Sequence, residues 1–441
     1  MKSIKLFSII VIMIFANGIL KAQTEIPPEL LEIFMPASGS TIDTNTTDGM
    51  AQVSPYCPRL SPWYTDSSFF MINPNSIEKI VGVNFFIFQK NDGSANFQED
   101  DTEHIKIFQD IEIALNNRFK NLRQLCGLVN TDTKIRFVCT PIFVRNSDLW
   151  KGKERHLWAQ AFEATPGSPN GINVLFFMHE DAYVKNVIEN DSIKHWEKEW
   201  NTLPPSTTFF NVPYLYINAP NLFVKYHWMK NWATVQYGLP WNPAIYGWFI
   251  DGTVKGLAHE LGHCFNIRNN IVPQNYCDSA NIMNPVGSSS HDYLSDWEIS
   301  IIHRAFAVTT ARKYVHDQTT LDAPLVITDS KFIDFDVRLY RDIVIESGAQ
   351  LTITCKVLMP SSGRIIIHPG GKLIVDGGIL TNACSDKLWQ GIYISGNADM
   401  PQTAQYQGVT VLSLLTMKIF LPPTTLLLER TLPCGEFWAC K

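Results

Sequence analysis

The residues best suited to chemistry lie in the stretch Gly256–Asn269, which reads GLAHELGHCFNIRN. His259 and His263 are four positions apart, so on an α-helix both rings lie on one face and can bind the same ion. Glu260 would then lie beside a water molecule bound to that ion. Two neutral imidazoles suit zinc, and an adjacent carboxylate can take the proton from a water that attacks a peptide carbonyl. The spacing therefore predicts a zinc site with Glu260 as its general base.

The neighbouring apolar residues indicate that this helix is buried on its other sides. They recur every three or four positions, at Val254, Leu257, Ala258, Leu261 and Phe265. A short pattern with three fixed positions also arises by chance, and the alternative is an ordinary amphipathic helix with two surface histidines. The sequence downstream favours the zinc site.

That downstream sequence contains Asn281-Ile-Met-Asn-Pro285 and then a second predicted helix. Ser295 is its expected N-cap, because Glu298 follows three positions later, as in a capping box. With these elements the chain resembles the metzincin metalloproteases, whose zinc helix reads HExxHxxGxxH and is followed by a turn with a methionine beneath the metal. Within that clan it is most similar to the secreted bacterial pappalysin-like or cytophagalysin-like group, over about residues 76 to 310.

The resemblance implies a role for each of these residues. Met283 would be the Met-turn residue, Glu260 the general base, and His259 and His263 the ligands of a Zn²⁺ cofactor. The implied substrate is a peptide or protein.

Two positions depart from the family pattern. Asn266 stands where the family has glycine, and asparagine is among the few other residues that adopt the left-handed conformation readily. Asn269 stands where the family has its third histidine, and a neutral amide oxygen is a poor zinc ligand. Three alternatives follow: Asn269 completes a weakened site, Asp278 or His291 replaces it, or the fold persists without efficient catalysis.

The composition favours an exported globular protein. Apolar residues make up 45% of the 441, charged residues 18%, and the formal charge is −6, so no basic surface for nucleic acid or anionic membrane is expected. Residues 1–22 have the basic start and short apolar run of a secretory signal peptide. No segment predicts a membrane span. We therefore expect a secreted or cell-surface protein.

The chain has nine cysteines, an odd number for a compartment in which pairs are expected. Cys264 and Cys277 bracket the segment that follows the zinc helix. A disulfide between them is possible and would hold the loop that leads to Met283.

The predicted fold is an α+β metzincin-like catalytic domain, with a mixed sheet and the zinc helix, over residues 76–315. Its strands are expected at 81–88, 134–143 and 171–177, and an amphipathic helix at 103–122. Residues 23–75 form an extended N-terminal segment. The aromatic-rich insertion from Glu180 to Trp248 would either form the wall of the cleft or cover the sheet.

A repeat of about 22 residues follows. Arg341–Ile353 and Arg364–Val375 each contain a short apolar strand, a glycine turn and another strand. Repeats of this length stack as solenoids, so residues 316–408 predict a small all-β solenoid-like domain, with a β-sandwich as the competing fold. Such a domain would contact carbohydrate, a cell surface or a partner. The pattern stops at Val409, and residues 409–441 are interpreted as an aberrant tail that is read out of frame.

Two functions are compatible with these features. The first is a secreted zinc-dependent endopeptidase, which the intact Glu260 favours. The alternative is a catalytically weak or inactive metzincin-fold protein that acts as a surface binding or adhesion module, which Asn269 favours.

Overall fold

The computed structural model describes residues 67–94, 96–147, 171–176, 207–208, 216–218, 222–223, 226, 230, 243–267, 276–284, 290–383, 387–396 and 409–412. The predicted signal peptide, Asn269 and the chain beyond Leu412 lie outside these residues. The chain divides into two compact units. The first comprises Met1–Thr47, Gly82–Leu115 and Val138–Cys264, and the second comprises Asp48–Val81, Asn116–Phe137 and Phe265–Lys441. The domain boundary expected at residue 316 stays a prediction.

Five strands form a mixed sheet in the order β2-β1-β3-β5-β4. They are β1 (Lys79–Gln89), β2 (Ile135–Arg145), β3 (Ile172–Phe176), β4 (Thr207–Thr208) and β5 (Tyr216–Asn218). β3 pairs in parallel with both β1 and β5, whereas β4 is antiparallel to β5. β1 is buried along nearly all its length, as expected of an apolar run inside a parallel pair. The three strands expected in this part of the chain are confirmed.

Two long helices accompany this sheet, α1 (Thr102–Lys120) and α2 (Pro243–Cys264). Asp101 caps α1, because its Oδ1 accepts hydrogen bonds from the amides of Glu103 and His104, at 2.8 and 3.2 Å. The α1 side chains Ile107, Ile111 and Leu115 are fully buried, which confirms the predicted amphipathic helix. Among the described residues, no helix is long and apolar enough to cross a membrane.

The second unit contains α3 (Tyr276–Ala280) and α4 (Asp296–Val308). The predicted capping box at the start of α4 is present. Ser295 Oγ accepts from the Glu298 amide at 3.2 Å, and Glu298 Oε2 accepts from the Ser295 amide at 2.7 Å. At the other end of α4, Ala307 and Val308 belong to the apolar core of the strands that follow.

The C-terminal region is rich in β-structure and contains three parallel sheets. Its strands are β6 (Asp322–Ile327), β7 (Ser330–Ile333), β8 (Val337–Arg338), β9 (Arg341–Ile345), β10 (Gln350–Ile353), β11 (Lys356–Met359), β12 (Arg364–Ile367), β13 (Lys372–Val375), β14 (Ile379–Asn382), β15 (Gly391–Ile394) and β16 (Val409–Leu412). The sheet orders are β15-β12-β9-β6, β16-β13-β10-β7 and β14-β11-β8. Strands that are three apart along the chain therefore lie side by side in the same sheet.

The register of these sheets follows the spacing of the sequence repeat. Leu351 pairs with Leu373, and Ile343 pairs with Ile365. All four side chains are 0% exposed, so equivalent positions of successive repeats form continuous buried columns. Gly378 lies where a Cβ would come within 2.6 Å of the Ile353 carbonyl oxygen, so a side chain there would separate neighbouring repeats.

The regular pattern was expected to stop at Val409, and this expectation is wrong by one strand. Val409–Leu412 forms β16, which continues the β7-β10-β13 sheet in parallel register, with Val409 beside Lys372. Gly408 directly precedes this strand, as Gly371 directly precedes Lys372, and the sequence analysis did not use that signal. The out-of-frame interpretation of the remaining tail concerns residues outside the described part of the chain and stays a prediction.

The inward and outward positions of β13 offer a test of this packing. Leu373 is 0% exposed, whereas its neighbour Ile374 is only partly buried. Leu373→Ala should lower the free energy of unfolding by about 2–5 kcal/mol, because it removes apolar contacts and leaves a cavity. Ile374→Ala, the matched control, should cost about 1 kcal/mol. Urea unfolding followed by circular dichroism measures both, and equal losses would contradict the inward assignment of Leu373.

Candidate metal centre

Helix α2 carries the three residues singled out for chemistry. It begins at Pro243, a residue favoured in the first helical turn because its missing amide proton is not needed there. The side chains of Phe249, Val254 and Leu261 are fully buried, which anchors the helix along its length. The apolar spacing read from the sequence therefore corresponds to a buried helix, as expected.

His259 and His263 lie one turn apart, and their rings meet edge to face. The ring centres are 4.8 Å apart and the ring planes are at 89°. The two rings therefore lie on one face of α2, and both are of the type that binds zinc.

Glu260 lies beside these rings on the same helix and is also inside the protein. It is 8% exposed, and His263 is 4% exposed. Burial of a carboxylate costs free energy unless hydrogen bonds or a cation compensate it. Glu260 therefore depends on partners inside the protein for its burial.

Cys264 lies at the end of α2 and is a buried free thiol. Burial raises the pKa of its thiol, and the nearby Glu260 carboxylate raises it further. Because the thiolate is the form that binds metal, a protonated Cys264 behaves as a small apolar core residue.

The chain leaves α2 in the conformation that the sequence predicts. The helix ends at Cys264, and Asn266 has a φ of 69°, in the left-handed region. Asparagine therefore adopts the left-handed conformation that the sequence analysis expects at this position.

The segment around Met283 is a tight turn in the second unit. The Asn284 amide donates to the Asn281 carbonyl at 3.1 Å, which closes the turn around a Met283 side chain that is 0% exposed. The Asn281 side chain stabilises this turn with hydrogen bonds from both of its polar atoms. Its Oδ1 accepts from the Met283 amide at 2.7 Å, and its Nδ2 donates to the Glu298 carboxylate at 2.9 and 3.0 Å. The sequence analysis missed this role of Asn281. The sequence indicates it only through the position of Asn281, two residues before the methionine.

The third ligand of the predicted site is not identified in this structure. Within the part of the chain that is described, no group of three His, Cys, Asp or Glu side chains is placed to hold a metal ion. Asn269 and the Asp278 side chain lie outside that part. His291 is described, and its Nε2 donates to the Asn284 carbonyl at 3.0 Å, which gives this ring a structural partner within the Met283 turn.

The predicted Cys264–Cys277 disulfide is wrong. Cys277 instead pairs with Cys126, 151 positions away, with the Cα atoms 6.2 Å apart, a normal separation for a disulfide. Cys264 is a buried free thiol at the end of α2. Cys277 lies in α3, and Cys126 lies in the loop after α1, so the bond joins a short helix and a loop of the second unit that are distant in sequence.

Two other histidines have structural roles. His303 on α4 is buried and donates from Nε2 to the Thr133 carbonyl at 2.8 Å, and burial lowers its pKa to about 4. His104 accepts from the Gln98 amide at 3.0 Å and packs against Tyr226. Tyr226 is 1% exposed, so this part of the aromatic-rich insertion covers the core.

Comparison with known proteins gives little independent support. No family model matches the sequence, and no curated protein matches it. Among solved structures, archaemetzincin (amzA) from Methanopyrus kandleri matches with a TM-score of 0.23 and 12% identity, covering 52% of this chain and 88% of that one. A TM-score this low carries no argument about fold or activity.

The left-handed Asn266 can be tested with two substitutions. Asn266→Ala should destabilise the protein by about 1–2 kcal/mol, because a Cβ without a compensating polar group disfavours this conformation. Asn266→Gly should stay within about 0.5 kcal/mol of the unmodified protein. The measurement is urea unfolding of the three proteins, and an alanine variant as stable as the glycine variant would exclude a left-handed residue 266.

The disulfide assignment makes a second prediction. Cys277→Ser should release one additional reactive thiol, at Cys126, because the partner of that cysteine is removed. Cys264→Ser, the matched control, should leave the Cys126–Cys277 cross-linked peptide intact in non-reducing peptide mapping by mass spectrometry. A Cys264–Cys277 peptide in the unmodified protein would overturn the assignment.

Proposed function

We propose that this chain is a secreted zinc-dependent endopeptidase with His259 and His263 as metal ligands and Glu260 as general base. The observation that carries the proposal is the pair of imidazoles on one face of α2, with ring centres 4.8 Å apart. The buried carboxylate of Glu260 next to them supplies the base that peptide hydrolysis requires. The extracellular location rests on the signal sequence alone.

The chemistry assigns Glu260 two proton transfers. When zinc is bound, it supplies a Lewis acid that polarises the scissile carbonyl and activates a water. Glu260 would take the proton from the attacking water and pass it to the departing amine nitrogen. His259 and His263 would hold the ion, and all three residues lie on one helix.

Asn269 is proposed as a weak third ligand through its amide oxygen. The expected consequence is a metal affinity lower than that of a three-histidine site, because imidazole is the stronger donor to zinc. The tight turn with a fully buried methionine supports the assignment of Met283 as the Met-turn residue.

The C-terminal region is proposed to be a β-solenoid over residues 316–408. The support is the parallel pairing of each strand with the third strand before and after it, at the spacing of the repeat. A β-sandwich would instead be built from antiparallel neighbours. A solenoid at this position would present its outer faces to carbohydrate, a cell surface or a partner.

A second function, a surface binding or adhesion module with a lapsed protease site, is favoured by one observation. In the described residues no third His, Cys, Asp or Glu joins the two histidines. If Asn269 cannot hold the metal, the contacts made by the C-terminal sheets become the function of the protein.

The proposal is tested by hydrolysis of casein with the purified mature chain. Glu260→Gln should lower kcat/KM by at least about 100-fold, because the amide cannot act as a base. Glu99→Gln changes an exposed carboxylate and should leave the rate unchanged. Removal of metal with a chelator should abolish activity, and added zinc should restore it.

The variant Asn269→His distinguishes the two functions. A working enzyme in the unmodified chain should gain zinc affinity from the third imidazole and keep its cleavage. Cleavage that appears only in Asn269→His would show that the natural site has lapsed and would favour the binding module. Cleavage that survives in Glu260→Gln would contradict the proposed role of Glu260.

A further inference from the structure

A cleft in the second unit has a buried lysine in its wall. It lies where the Phe69–Ser76 segment, the end of α4 and the first C-terminal strands meet, and Lys79 lines it together with Asp322 and Tyr340. The cleft leaves about 40 Å³ for the centres of water-sized groups, which is room for about three of them.

The groups around the Lys79 amine also line this cleft. Its Nζ donates to Asp322 Oδ2 at 2.8 Å and lies 4.3 Å from the centre of the Tyr340 ring. The other oxygen of Asp322 accepts from the Ile77 amide at 2.8 Å, which fixes the carboxylate beside the amine. Because the amine and both of these neighbours belong to lining residues, the amine lies at the wall of the cleft.

Burial makes this amine more reactive than a lysine amine in water. The Lys79 side chain is 4% exposed. Burial lowers the pKa of the amine to about 8, and the positive charges of Arg341 and Arg338 lower it further, against the opposing effect of Asp322. About one amine in ten is then uncharged at pH 7. The uncharged amine is the nucleophile that attacks carbonyl compounds.

The other lining groups select the kind of carbonyl compound. Phe69, Phe70 and Leu339 give the cleft an apolar wall, which suits a short hydrocarbon chain. An anionic ligand at the amine would meet the Asp322 carboxylate. An imine that takes up a proton keeps the positive charge of the ammonium group, so Asp322 can remain its partner.

We propose that Lys79 is a covalent binding site for a small aliphatic aldehyde of about three carbons. The amine nitrogen attacks the carbonyl carbon and a carbon–nitrogen double bond forms, while the carbonyl oxygen leaves as water with both hydrogens of the amine. The imine nitrogen takes a proton from solvent and pairs with Asp322, and the hydrocarbon chain lies against Phe69 and Phe70. Hydrolysis reverses the reaction. The site is independent of the proposed zinc centre, since no residue of α2 lines it.

Reductive trapping of the imine is the direct test. The full chain is incubated at pH 7 with propanal and cyanoborohydride, which reduces an imine to a stable secondary amine, and the propylated lysines are found by peptide mapping with mass spectrometry. Lys79 should be modified at least about 10-fold faster than Lys106, because a lysine amine in water is almost entirely charged at this pH. Lys106 is a stringent control, since its side chain is 60% exposed. Faster modification of Lys106 than of Lys79 would overturn the proposal.

Two further reactions test the role of the cleft. With the bulkier 2,2-dimethylpropanal, Lys79 should lose its advantage over Lys106, because the branched chain exceeds the space beside the amine. In concentrated urea, which unfolds the chain, propanal should modify the two lysines at similar rates. An advantage of Lys79 that persists with the bulky aldehyde or in urea would show that the cleft does not cause it, and would overturn the assignment.

Discussion

The burial of a carboxylate beside two imidazoles on one apolar helix is the constraint on which this account depends. Glu260 and His263 are almost fully covered, so both groups depend on partners inside the protein. In the proposed site, a zinc ion bound by the two imidazoles would favour an ionised carboxylate nearby. The buried apolar side chains of α2, among them Phe249, Val254 and Leu261, fix the position of this helix.

The second unit is held together by contacts between segments that are distant in sequence. The Cys126–Cys277 bond spans 151 positions, and closing a loop of that length in the unfolded chain is worth about 5 kcal/mol by the chain-entropy estimate. Asn281 then ties the Met283 turn to Glu298 at the start of α4. A disulfide and a buried polar network therefore fix the turn, where the sequence shows only a short motif.

Local sequence patterns predicted much of this structure. The strands β1 to β3 follow apolar runs, α1 and α2 follow helical periodicity, and the α4 cap follows the Ser295 and Glu298 spacing. The left-handed Asn266 follows from its place after a helix. The disulfide could not be derived in this way, because its partner is set by tertiary proximity. The cleft around Lys79 is likewise formed by segments that meet only in the folded chain.

The most direct test of the central claim is the zinc environment of the purified mature chain, measured by metal analysis and X-ray absorption. The account predicts about one zinc per chain with two imidazole nitrogens at about 2.0–2.1 Å, and loss of that zinc in His259→Ala and His263→Ala. A chain without zinc when purified in its presence, or zinc that remains when both histidines are replaced, would contradict the account.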